Sequence, residues 1–405
     1  MEYYGTRSFH KKIGINRYTK LRKYDIIESK KRCEKMDYIR KKFSEIEDPR
    51  HESYVTHKMN DILIIIMCAV MSGLDGLAEL VTFSEKRAKF FKSKFGIEEI
   101  PSKPTFSRIL NILDGEKVAE VIIEIMAERT KFMTHVTNIL AVDGKAIRST
   151  SKPGKGNSAM QILTVYLTGS SVVLGQESID KKTNEIPVFQ QMLEYINVRD
   201  KTVTADALHC QKETCEKIIK SGGNYVFGLK GNQKMLYNDV ISFMSDESNS
   251  ELIETFTTNE KNGGRIEKRI CLKVKDISWL QVKSEWVGLK SVFSVRRITT
   301  AKGKTTDETN YYITSSDGTA EELLKITREH WKIESMHWLL DVVFSEDDCE
   351  ILSENGHKTL NIFRKLALLI HKNFIAKLTK KCSIKAHLLK CLLDEDLLFQ
   401  VVSSL

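Results

Sequence analysis

The chain has 405 residues, more than one ordinary core holds, so it calls for one large domain with insertions or for two to three smaller ones. Hydrophobic residues make up 41%, enough for a sizeable interior, and the net charge of +9 is concentrated at the start, where Met1 to Glu45 holds 14 Lys and Arg against 6 Asp and Glu. A basic segment suits nucleic acid or an anionic membrane surface, and a solvated tail has the same composition. Eight cysteines lie scattered without a Cys-x-x-Cys pair, which argues against a disulfide framework and a zinc ribbon. No apolar signal core follows Met1, and the longest apolar run, Ile62 to Met71, falls well short of the roughly 20 residues that span a bilayer. A soluble, cytoplasmic protein without a membrane partner is expected.

Residues 1–45 form a basic segment of open structure. From Asp48-Pro49-Arg50 the pattern turns helical, with helices expected over His57 to Met71, Leu74 to Phe83 and Lys86 to Phe95. Ser102 or Thr105 can cap a further one, Phe106 to Leu113. The helical block, 46–135, suits DNA recognition or a scaffold, since its spacing defines no clear helix-turn-helix. At Asn138 the period changes. Ile139-Leu140-Ala141-Val142 reads as a buried strand that stops at Asp143, followed by a Gly- and Ser-rich loop, Ser149 to Ser158. Strands Gln161 to Leu167 and Val172 to Gly175 flank a Thr168-Gly169-Ser170 hairpin turn. Then come helix Val188 to Ile196, strand Thr202 to Ala205 ending in Asp206, helix Gln211 to Lys220 and strand Tyr225 to Leu229.

The first three strands look antiparallel, whereas the later alternation calls for parallel strands with helical crossovers. If the strands before Asp143 and Asp206 are parallel neighbours, both carboxylates emerge at one sheet edge, where open α/β sheets bind ligands. From about 250 to 313, alternating residues and turns at Asn262-Gly263-Gly264 and Lys302-Gly303-Lys304 indicate a β-rich insertion or an extra sheet. Thr327 to Asp341 then reads as a helix with two unlike faces. Ile326, Ile333, Met336, Leu340 and Val343 line one, and Thr327, His330, Trp331, Glu334, His337, Trp338 and Asp341 line the other. That second face suits a packing surface as well as a functional one.

Two strand-end aspartates and a helical glutamate are ligand types for hard cations, and two Mg²⁺ or Mn²⁺ ions about 3.5–4 Å apart can drive phosphodiester chemistry between such groups. Lys145, Arg148, Lys230 and Arg328 could neutralise phosphates. Asn232 could touch the DNA backbone or form a turn, and His330 and His337 could bind phosphate or pack against Trp331 and Trp338. Glu185 could be an accessory carboxylate or a helix N-terminal residue. Trp286 suits core packing better than base stacking.

The ordered motifs Asp48-Pro49-Arg50, Pro101-Ser102 with Thr105-Phe106 and Arg108, Ala141-Val142-Asp143-Gly144-Lys145, Thr183-Asn184-Glu185-Ile186, Thr204-Ala205-Asp206-Ala207, Lys230-Gly231-Asn232-Gln233, and His330-Trp331 through Ile333-Glu334 to His337-Trp338 carry a resemblance. The chain resembles bacterial insertion-sequence transposases of the ISAs-type, H-repeat-associated group, from about Asp48 to the C-terminal helices. The resemblance implies an α/β, ribonuclease H-like mixed sheet flanked by helices, occupying 136–405, with the β-rich stretch inserted before the last catalytic helix and a helical domain ahead of it. It also implies that Asp143, Asp206 and Glu334 are the metal-binding catalytic triad. Thr327, His330 and Asp341 stand where related groups place Tyr, Arg and Lys. Gly263 and Lys103-Pro104 replace a usual His and His-Asp, which alters fine DNA contacts and removes no carboxylate.

The function implied is metal-dependent cleavage at the ends of a mobile element followed by strand transfer into target DNA, by a homodimer or larger assembly on terminal repeats and target. The competing readings are a catalytically silent, transposase-derived DNA-binding protein and a plain metal-dependent nuclease.

Overall fold

The computed structural model describes residues 34–404 apart from 75, 129–137, 152–157, 181–182 and 352, so most of the basic N-terminal segment and part of the Gly- and Ser-rich loop lie outside the described residues. In chain order the elements are helices α1 (34–43), α2 (Met59–Val70), α3 (Leu77–Lys86), α4 (Ala88–Phe95), α5 (Lys103–Ile112) and α6 (Gly115–Glu128). Strands β1 (Ile139–Ile147), β2 (Met160–Leu167) and β3 (Val172–Ile179), helix α7 (Glu185–Met192), β4 (Thr202–Ala205), α8 (Lys212–Lys220), β5 (Asn224–Leu229) and α9 (Lys234–Ser245) follow. Last come β6 (Ile253–Asn262), β7 (Arg265–Val274), β8 (Ser291–Ala301), β9 (Lys304–Thr314), α10 (Ala320–Phe344), α11 (Glu354–Ala376), α12 (Ile384–Leu393) and α13 (Glu395–Val402).

The chain divides into two compact units, Met1–Ile125 with Lys358–Leu405, and Met126–His357. The C-terminal helices, which the sequence reading attaches to the catalytic domain, group with the N-terminal helices in the first unit. At its centre, α2 buries Ile62 through Val70 almost completely. A helix that is apolar all round is stable only when neighbours cover every face. Ahead of it, Arg50 clasps the chain: its Nε and Nη2 donate to the Asp48 carboxylate at 2.8 and 2.6 Å, and Nη2 also donates to the His57 carbonyl at 2.8 Å. Burial opposes the charge on Asp48, but the bonds from Arg50 outweigh it and hold the carboxyl below its ordinary pKa.

The second unit is built on one nine-stranded sheet in the order β3-β2-β1-β4-β5-β9-β8-β7-β6. The β3-β2-β1 part is antiparallel, β1-β4-β5 is parallel, and β9 returns antiparallel to β5. This is the mixed sheet expected. The stretch 250–313 proves continuous with it: β9 pairs with β5 through Tyr311–Thr314 and with β8 along its whole length, so β6–β9 widen the sheet instead of forming another. The tight turns need left-handed residues, supplied by Gly263 and Gly264 between β6 and β7 and by Lys302 and Gly303 between β8 and β9.

Ile139 to Val142 are all buried because both faces of the central strands are covered. On one face, Leu140, Val142, Val203, Tyr225 and Phe227 pack with Phe189 and Met192 of α7, Cys215 and Ile218 of α8 and Leu236 of α9. On the other, Val226, Phe293 and Val295 pack with Ala320, Leu323 and Leu324 of α10. Helix α7 starts three residues earlier than its apolar period predicts. Asn184 accepts a capping bond from the Ile186 N–H at 3.0 Å, and Pro187 sits in the first turn, where its missing N–H costs nothing. Trp286 is 3% exposed and belongs to the first of these cores, away from any position for stacking on a base.

Replacing Arg50 with Ala removes a charged clasp and should lower stability by about 2 kcal/mol in chemical denaturation at neutral pH. Because Asp48 titrates below its unfolded value, the difference from the native chain should shrink as pH falls through the carboxylate range.

Candidate functional site

Strands β1 and β4 pair in parallel from Ile139↔Thr202 to Val142↔Ala205. The next residue on each is the predicted aspartate, so Asp143 and Asp206 leave this ladder at the same level. The two then differ. Strand β1 continues to Ile147 paired only with β2, with Asp143 opposite Thr164, so Asp143 lies within a strand where the sequence places it at the end. Asp206 turns out of the sheet and caps a short 3-10 turn, its Oδ1 accepting from the Leu208 N–H at 3.0 Å.

Helix α10 delivers the third group. It starts at Thr319, which exchanges capping bonds with Glu322, and stops at Ser345 in the left-handed region. It lies against β1 and β4, and three successive turns face the aspartates. His330 Nδ1 lies 3.1 Å from Thr204 Oγ1, and His337 Nδ1 lies 3.3 Å from Asp143 Oδ2. A carboxylate only accepts, so His337 carries its proton on Nδ1 in that contact, leaving Nε2 buried and without a hydrogen bond. Between them, Glu334 stands partly exposed. Desolvation by its surroundings, and then the charge of Asp143, raise its carboxyl pKa, while Arg297 opposes them. Burial lowers the His330 pKa, against the pull of Asp143 and Asp206. The three carboxylates thus share one electrostatic neighbourhood.

A fourth carboxylate lies beside them. A Cβ on Gly144 would fall 2.7 Å from the Glu185 carboxyl carbon, so the glycine after Asp143 leaves the space that Glu185 fills. Glu185 Oε2 lies 3.2 Å from Nε2 of the buried His209. Sequence reasoning offered Glu185 as an accessory group and passed over His209; their only signals were the motif around Asn184 and the residue spacing after Asp206.

The expected phosphate-binding groups separate into two sets. Lys145 is 11% exposed and donates to Asp341 and to the fully buried Glu346. Desolvation opposes its charge, but these two acids outweigh it and raise its pKa. Asn232 donates to the Ala207 carbonyl at 2.7 Å and ties its turn to the one that Asp206 caps. Arg148 and Lys230 are exposed, Arg148 with an Asp347 oxygen 3.6 Å from Nε. Arg328 pairs with Glu260 of β6.

Its neighbourhood is a cavity of about 340 Å³ lined by Arg265, Arg269, Arg297, Arg328, Asn310, Tyr312 and Trp331, among others. The Arg297 guanidinium sits 5.2 Å from the centre of the half-exposed Trp331 ring. Three glutamates, Glu260, Glu267 and Glu308, pair with these arginines and leave one positive charge over. Arg265, Arg269 and Arg297 were not singled out from the sequence, since they sit on alternating strands whose shared face only β7-β8 pairing reveals.

Comparisons with known proteins agree with this architecture. The family model described as a transposase DDE domain matches residues 134–370, and that of the domain associated with it matches residues 40–126. The "H repeat-associated putative transposase YhhI" of Escherichia coli strain K12 is 32% identical over 367 residues, covering 88% of this chain and 96% of that one. The "H repeat-associated putative transposase YbfD" of the same strain is 33% identical over 227 residues, covering 56% and 89%. A piggyBac transposase, solved in a synaptic complex with hairpin DNA, aligns over 91% of this chain and 79% of its own at 11% identity and a TM-score of 0.44. The chain belongs to the DDE transposase family. Within it, the chain resembles the H repeat-associated protein YhhI over most of its length.

Lys145→Met leaves the buried Glu346 without its cation and should destabilise the chain by about 3 kcal/mol, measured as a shift in denaturant midpoint. The double variant Lys145→Met, Glu346→Leu should recover most of that loss.

Proposed function

We propose that this protein is a DNA transposase that cleaves the ends of an insertion sequence and joins them to target DNA. The observation that carries the reading is the convergence of Asp143 and Asp206, side by side after the last parallel rung, with Glu334 on the helix that crosses them. Two parallel strand ends and one helix would form a carboxylate edge open to a phosphodiester. All three groups are hard oxygen donors that fit Mg²⁺ or Mn²⁺. When bound, such ions would supply Lewis acidity at the attacking and leaving oxygens.

The chain's own groups have assignable parts in this reading. Asp143, Asp206 and Glu334 would hold the ions. The Nδ1–H of His337 orients Asp143, and Thr204 with His330 fixes the helix over the strand ends. Arg297 and its neighbours on β7 and α10 take the phosphates of the DNA flanking the reacting one, with Trp331 beside them as a stacking surface. Both cleavage and joining are in-line displacements at phosphorus, so one carboxylate edge serves both. Joining two ends requires two such edges, hence at least two copies of the chain on DNA.

In an assay with a labelled terminal-repeat duplex and Mg²⁺, Glu334→Gln should cut at least about 1,000-fold more slowly than the native chain, matching several kcal/mol of metal-borne stabilisation. Equal rates would remove Glu334 from the site. Cleavage without joining in a two-ended substrate would make the protein a nuclease, and metal-independent binding without cleavage by the native chain would make it a silent DNA-binding protein. Arg297→Ala should weaken binding to the duplex and flatten the dependence of log affinity on log salt by about one unit.

A further inference from the structure

The first unit contains a cluster that DNA chemistry does not use. His371 on α11 and His387 and Cys391 on α12 are all at most 1% exposed. Among the described residues they are the group of three His, Cys, Asp or Glu side chains whose ligand atoms all lie within 4.8 Å of one another. Cys391 follows His387 by four residues, so both project from one face of α12 toward α11.

The hydrogen bonding fixes how the first imidazole is presented. His371 Nε2 lies 3.0 Å from the carbonyl oxygen of Met71. A carbonyl cannot donate, so Nε2 carries the proton and Nδ1 turns a lone pair into the cluster. A ring nitrogen tied to a backbone carbonyl while the other faces inward is the arrangement of metal-ligating histidines. His387 Nδ1 faces it at 2.7 Å. Without an ion, His387 must donate its Nδ1 proton across that contact. With its proton on Nε2 instead, it presents a second lone pair to the same point.

We propose that α11 and α12 are clasped by a structural Zn²⁺ ion held by His371 Nδ1, His387 Nδ1 and the Cys391 sulfur. Two imidazoles and a thiolate supply three donors of the types that a tetrahedral zinc takes. Nitrogen and sulfur donors disfavour Mg²⁺, so this ion differs in kind from those proposed at the carboxylates. Binding exchanges the thiol proton of Cys391 for the ion, moves the His387 proton to Nε2, and spreads the two Nδ1 atoms by about 0.6 Å to fit Zn–N bonds near 2.0 Å. Spacing hides the site in the sequence. His387 and Cys391 form no paired-cysteine motif, and His371 joins them only because α11 and α12 pack together.

The full-length chain, untagged and purified from zinc-supplemented culture without chelator, should carry about one zinc per chain by plasma mass spectrometry. Cys391→Ser and His387→Gln should each carry less than about a tenth of that, whereas Glu334→Gln should keep it. Exchange with Co²⁺ should give a near-ultraviolet thiolate-to-cobalt charge-transfer band, absent from Cys391→Ser and kept in Cys382→Ser. The native chain's cobalt spectrum decides the matter even if a variant folds poorly. No zinc in the native chain and no charge-transfer band on adding Co²⁺ would overturn the proposal and leave a plain His–His hydrogen bond. A band unchanged in Cys391→Ser, or one that needs Glu334, would overturn it equally.

Discussion

The carboxylate edge depends on the parallel pairing of β1 with β4. Hydrogen bonds between parallel strands lock their register, and the last rung, Val142 with Ala205, puts the following residues of two segments some 60 positions apart at one level. A slip of one residue would turn one aspartate to the opposite face of the sheet. The register is held by burial, since Leu140, Val142, Val203 and Ala205 enter one core together with side chains from α7 and α8. Buried apolar residues thus fix two charges without touching them.

Desolvation first, and then the charge of Asp143, raise the pKa of Glu334, so the carboxylates stand together at an electrostatic cost. The surrounding structure lessens it selectively. Lys145, two residues beyond Asp143, is directed to Asp341 and Glu346 instead of to the aspartate, and Asp143 meets an imidazole instead of an ammonium. A lysine at hydrogen-bond distance would neutralise the edge and compete with any cation. Compensation comes through Arg297, whose guanidinium lies over the ring of Trp331.

Helix α10 unites these requirements. Its apolar residues Ile333, Met336 and Leu340 are buried, yet Thr327 and His337 of its polar face are buried as well. The two faces therefore do not divide simply into core and solvent. Within the polar face the division is finer: His330, Glu334 and His337 bear on the strand ends, while Trp331 and Trp338 are left 48% and 61% exposed. The widened sheet matters here too, because β7 and β8 bring arginines to the helix that the five-stranded core alone could not supply.

The sequence by itself determined the order of strands and helices in the second unit, since periods of two and 3.6 are written locally, and it singled out Asp143, Asp206 and Glu334 as candidates, through motifs at strand ends and on one helix. It also marked the hairpin turns, whose glycines answer to backbone geometry at single positions. Only the tertiary structure decided that β6–β9 extend the central sheet, that the C-terminal helices group with the N-terminal ones, that Lys145 pairs with Asp341 and Glu346, that His209 meets Glu185, and that Arg269 and Arg297 line one cavity. Each of those is a contact between residues far apart in the chain, chosen by packing and charge balance over the whole unit, and no local period or spacing encodes it.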